Sequence, residues 1–148
     1  GKGAKEGGQI KKRFLAKTPA LKKLTDALKL RLESQHGEKF IKGLDGRLIP
    51  IRHPHAALNT LLQSAGAIIC KQWYRTVEKM IRAKGYTTEE VAIVAFVHDE
   101  VQIIVKEGLE AEIGEITKKA IKKTEEKYGF KCPLDSEFDV GRSWAETH

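Results

Sequence analysis

The chain has 148 residues, 41% of them apolar and 32% charged, with only 4 prolines, so it is about one domain's worth and long enough to bury a real core. No apolar run approaches the ~20 residues of a membrane-spanning helix, and the composition excludes collagen-like and wholly disordered chains. The net charge of +7 is unevenly spread: residues 1–35 carry +7, residues 36–85 carry +6 and residues 86–148 carry −6, a polarity that suits either a polyanionic partner or plain solubility.

In chain order, residues 1–8 (GKGAKEGG) read as a flexible lead, with order expected near Gln9. Thr18 and Pro19 stand where a helix cap and first-turn proline belong, and Leu21, Leu24, Leu28 and Leu32 follow at helical spacing, which predicts a basic amphipathic helix over about 19–33. Residues 40–52 (FIKGLDGRLIPIR) hold an Asp45-Gly46 turn between short apolar stretches, the signature of a small two-stranded ribbon. From His55 to about Lys84 apolar residues recur at threes and fours, Trp73, Val77 and Ile81 among them, and Gly85 stands as a stop. Residues 91–97 and 101–105 are β-branched apolar runs flanking His98-Asp99-Glu100, a buried hairpin with a polar tip. Residues 107–128 show a helical stripe ending at Gly129, and residues 134–140 read as a final short strand. The expected class is α+β.

Two places could carry chemistry. At the tip, Asp99 and Glu100 follow His98 between two apolar strands. A carboxylate fixed at a strand end is a good ligand for Mg²⁺, a hard cation that prefers oxygen donors. Asp99 is equally a common turn former, although no glycine or asparagine eases this turn. The second place is a rail of His55, Asn59 and Gln63 at i, i+4 and i+8, which drifts only ~80° around a helix axis. Planar amides can read the nearly sequence-independent acceptors of a duplex minor groove; the other reading is an ordinary solvated face. Arg52 directly precedes the rail.

Other candidates fail. GKGAKEGG lacks the Gly-Lys-Ser/Thr ending of a phosphate loop. His53 and His55 sit two apart with no cysteine near, which argues against zinc there, and no nucleophile elbow is recognisable. Cys70 and Cys132 each stand alone, which points to a reducing, cytoplasmic compartment. The first residues carry no secretory h-region, and Glu6 occupies the position where myristoylation wants Ser or Thr.

Taken together, GLDGRLIPIRHPHAALNTLLQSAGAIICKQW (43–73), VHDE (97–100) and LDSEFDVGRSWAETH (134–148) resemble the C-terminal part of family A DNA polymerases, most nearly the podovirus-type phage branch. KKRFLAKTPAL (11–21) is a weaker match. The resemblance implies a partial palm with a motif C hairpin (91–105) and C-terminal strand packed on helices. It makes 9–40 a basic fingers segment, 41–148 the palm part, and 55–84 a duplex-contacting helix. It implies DNA-directed DNA polymerase chemistry, a nucleotidyl transfer in replication. Asp99 would hold the Mg²⁺ ions, Glu100 would be the neighbouring acidic residue and His98 would lie near the primer 3′ end. Arg52, His55, Asn59 and Gln63 would contact primer–template DNA. The motif A aspartate completing the two-metal site, and the motif B helix that handles deoxynucleoside triphosphates, have no counterpart in this chain. The expected partner is therefore an N-terminal polymerase part carrying both, whether the chain is a piece of a longer polymerase or one subunit of a split one, inside a bacterial or infected host cell. The alternative is a non-catalytic DNA-binding module derived from a polymerase palm.

Overall fold

The structure, a computed structural model, describes residues 3–147. It divides into two compact units, residues 1–65 and 66–148, each with its own cluster of buried side chains.

The first unit opens with helices α1 (Ala4–Lys17) and α2 (Pro19–Glu33). The expected loose lead is corrected: residues 1–2 lie outside the described residues, but helix begins at Ala4, not near Gln9. Gly7 and Gly8 each cost about 1 kcal/mol in a helix interior. The good helix formers that follow bear the nucleation cost, and extension from them is cheap. Pro19 occupies the first turn of α2 as expected. Thr18 sits at the cap position but serves the preceding helix, its Oγ1 donating to the Phe14 carbonyl at 2.8 Å and making no side-chain bond to α2.

Strands β1 (Phe40–Lys42) and β2 (Leu48–Pro50) pair antiparallel across the expected Asp45-Gly46 turn, with Ile41 opposite Ile49. Burial pushes the Asp45 carboxyl up, but hydrogen bonds and charge from Arg47 outweigh this and hold it below its ordinary value; the Arg47 Nε–Asp45 Oδ2 distance is 2.6 Å. Leu32, Ile41, Ile51 and Ala57 form the core of this unit, with Leu28, Ile49 and Leu61 packed against it.

A 3-10 turn (Pro54–Ala56) leads into the long helix α3 (Ala57–Ala83). The regular helix thus starts two residues later than expected, because Pro54 opens a tighter turn first. Leu62, expected in the apolar stripe, is 54% exposed.

In the second unit, strands β3 (Val91–Val97) and β4 (Glu100–Val105) form an antiparallel hairpin, followed by α4 (Glu110–Tyr128). Trp73, Val77 and Ile81 of α3, Val91 of β3, and Ile113, Ile116, Ala120 and Ile121 of α4 make the core. The Trp73 indole N–H reaches the Thr117 carbonyl at 2.9 Å, satisfying a buried donor that would otherwise cost ~1–3 kcal/mol. The hairpin is less buried than its sequence suggests, with Val94 55% and Ile104 65% exposed. A register shift lies between Ile93 and Ala95, so Val94 is the extra residue of a bulge. Helix α4 starts at Glu110, later than expected, since Gly108 has φ 93 and its N–H is taken by the Glu110 carboxylate at 2.8 Å. It ends at Gly129 as expected.

The expected C-terminal strand is absent: residues 134–140 pair with no strand. The backbone of Leu134 instead spends its hydrogen bonds on side chains. Its N–H goes to Glu125 at 2.7 Å and its carbonyl accepts from Lys122. Phe138 then lies over α4 at Gly114, where an added Cβ would stand 2.4 Å from the ring. The elements together fit the α+β class.

Candidate nucleic-acid interface and acidic tip

The hairpin register places Val97 opposite Glu100, so the tip is a two-residue loop of His98 and Asp99. Glu100, expected at the tip, is the first residue of β4. His98 has φ 55 and Asp99 does not share the positive value, the sign pattern of a turn that normally takes glycine at its first central position. Holding a histidine there costs on the order of 1–2 kcal/mol. His98 and Asp99 are exposed and Glu100 is half-buried.

Three features hold the tip. The Phe96 ring lies 5.4 Å from that of Tyr74 on α3. Gln102 donates to the Glu100 carboxylate. Its other amide atom faces Thr147 Oγ1 at 3.5 Å, in a tail turn where the Arg142 N–H is held by Glu146 at 2.6 Å. Burial and the charge of Asp99 together push the Cys70 thiol up, which keeps it protonated and unreactive. Gln102 and Cys70 were not found from sequence. Gln102 had a readable signal, because residues two apart share a strand face; a cysteine far along the chain had none.

Asp99 supplies an exposed carboxylate, the donor a hard divalent cation accepts. Among the described residues no group of three or more His, Cys, Asp or Glu side chains gathers around a possible metal position.

The rail belongs to the first unit. Arg52, His55, Asn59 and Gln63 are all exposed. Asn59 and Gln63 share one face of α3, whereas His55 stands in the 3-10 turn before it. No side-chain hydrogen bond among the described residues engages either amide, so their donors and acceptors are open to a ligand. His53, passed over as a zinc ligand, stacks on His55 with ring centroids 5.5 Å apart and planes 16° from parallel. Among the described residues the glycine-rich start is helical from Ala4. Cys70 and Cys132 are both free thiols, and no helix among the described residues is long and apolar enough to cross a membrane.

Comparison with known proteins matches residues 3–146 to DNA polymerase family A. The DNA-directed DNA polymerase of Enterobacteria phage T3 is 40% identical over 163 residues, covering 100% of this chain and 23% of that protein. Its counterpart from Escherichia phage T7 gives the same identity and coverage. The DNA-directed DNA polymerase of Escherichia phage Phieco32 is 34% identical over 155 residues, covering 100% of this chain and 24% of that protein. The chain thus spans about a quarter of the length of these relatives.

Proposed function

Since the chain belongs to DNA polymerase family A, we propose that it supplies the motif C side of a DNA-directed DNA polymerase active site together with contacts to primer–template DNA. The observation that carries this reading is the tip itself: a strained two-residue loop presents Asp99 to solvent where a relaxed turn would use glycine. Backbone strain that the fold maintains clusters at functional sites.

In this reading Asp99 and Glu100 offer carboxylate oxygen on the side of the site where charge develops, and His98 lies near the primer 3′ hydroxyl. Mg²⁺, when bound, would supply charge stabilisation at the transferring phosphoryl group. Its remaining ligands would come from a motif A aspartate, and the nucleotide-handling helix from motif B, both on an N-terminal polymerase part outside this chain. Asn59 and Gln63 would meet the minor groove of the newly made duplex, where the acceptors are nearly the same for every base pair. His55 and Arg52 would lie on the sugar–phosphate backbone. Residues 9–40 would be the fingers segment and 41–148 the palm part. The +13 carried by residues 1–85 would act mainly on phosphates, so primer–template affinity should fall steeply with salt.

The test grafts this chain in place of the matched stretch of the phage T7 polymerase and replaces Asp99 with Asn. Asparagine is among the best turn formers, so a turn residue would tolerate it. A cation ligand would lose its anionic oxygen, and single-nucleotide incorporation should drop at least a hundredfold, ~2.8 kcal/mol at ~1.4 kcal/mol per decade, while primer–template affinity changes little. Near-normal incorporation by Asp99→Asn would remove the catalytic assignment. DNA binding with no incorporation even in the unsubstituted graft would favour the non-catalytic module.

A further inference from the structure

We infer that His53 is a positioning residue for DNA binding: its ring, stacked on His55, fixes the imidazole that meets the duplex backbone. This rests on the reading of His55 as a primer–template contact.

The backbone dictates the stack. Residues two apart point to different sides of a helix and to the same side of a strand, and neither geometry by itself lays one ring on the next. Here the chain changes conformation between the two histidines. His53 precedes a proline, which confines it to extended backbone, and it has φ −132 and ψ 122. Pro54 then opens a 3-10 turn, closed by the Ala56 N–H on the His53 carbonyl at 2.9 Å. This switch brings both imidazoles to one side, 5.5 Å apart and 16° from parallel.

The segment is also clamped at both ends. Ile51 and Ala57, 7% and 2% exposed, are both in the core of the first unit, and the Ile51 N–H is tied to the Lys39 carbonyl at 2.7 Å. Between these anchors Arg52, His53 and His55 stand exposed. A rigid segment presenting two stacked rings and a guanidinium is preorganised for a ligand. Its donors are N–H groups, and it lies in a unit where residues 1–65 carry +9, so the chemistry it matches is an anionic sugar–phosphate backbone. A transition metal does not fit, because no third ligand gathers among the described residues.

The experiment measures binding of a fluorescent primer–template duplex to the full chain by anisotropy, for His53→Ala, His55→Ala, the double variant and His53→Phe. His53→Ala should weaken binding about three- to tenfold with His55 present and by less than twofold in the His55→Ala background, since a stacking partner acts only through its neighbour. His53→Phe, which keeps the stack and loses the donors, should restore affinity to within twofold. Without DNA, the His55 ring proton resonances should shift in His53→Ala and not in a distant variant, Lys131→Ala. If His55→Ala weakens binding while His53→Ala does not, or the two effects simply add, or His53→Phe fails to rescue, the inference is overturned and the DNA reading of His55 stands. If His55→Ala itself leaves affinity unchanged, the reading of His55 falls and the inference falls with it.

Discussion

At the scale of single residues, His98 sets two requirements against each other. Left-handed backbone disfavours any β-carbon, whereas glycine accepts it freely. Replacing His98 with Gly should therefore stabilise the chain by about 1 kcal/mol, part of the relief being offset by the greater freedom of glycine in the unfolded state. For a chain of this length that is a rise in Tm of roughly 2–4 °C. If His98 lies near the primer 3′ end, as proposed, the same change should lower incorporation in the grafted polymerase at least tenfold. Calorimetry and a single-nucleotide assay on the same variant test this. A fall in Tm would show that the histidine is held by contacts whose worth exceeds the strain, and the strain would then say nothing about function.

At the scale of elements, the end of α3 is tied to the start of α4 by one carboxylate. Lys84 Nζ lies 3.0 Å from Glu112 Oε1, and hydrogen bonds from Lys84 and then Tyr86 hold the Glu112 carboxyl below its ordinary value. The same hydrogen bond to Glu112 holds Lys84 above its own. A depressed carboxylate stabilises the fold above its unfolded pKa of ~4.3, and the contribution disappears as pH falls through the folded value. Glu112→Gln should lower Tm at pH 7 by a small amount, since solvent screens an exposed pair, and the difference should shrink as pH falls below the ordinary glutamate range. A gap that stays constant into strong acid would assign the effect to packing. Elements of this kind were legible in the sequence where one periodicity decided them: α2 and α4 each follow a helical pattern of apolar residues bounded by a proline or a glycine, and the β3–β4 hairpin follows two β-branched runs on either side of a polar tip. The strand expected over 134–140 is missing because a short run does not state its partner, and Glu125 and Lys122 take the backbone groups of Leu134. Val94 is an extra residue that no period of two can announce. The His53–His55 stack was invisible for a similar reason, arising where the chain switches between two backbone conformations. Asp99, Asn59 and Gln63 stood out because their polarity breaks an apolar pattern.

At the scale of the whole molecule, the described residues form two clusters of buried side chains: one around Leu32, Ile41, Ile51 and Ala57, the other around Trp73, Val77, Val91 and Ile121. The two compact units meet in sequence between Ala65 and Gly66, within the helix α3 (Ala57–Ala83). Two cores need not melt together. Scanning calorimetry should give a calorimetric enthalpy larger than the van't Hoff value, with Ile41→Ala moving one part of the endotherm and Val77→Ala the other. A single transition with equal enthalpies, shifted as a whole by either variant, would show that the cores unfold as one. If they do separate, α3 has a property that its unbroken hydrogen bonding conceals. Its amides would exchange with deuterium on two timescales, those near Ala57 with the opening of the first core and those near Val77 with the second, so that one helix would have two lifetimes.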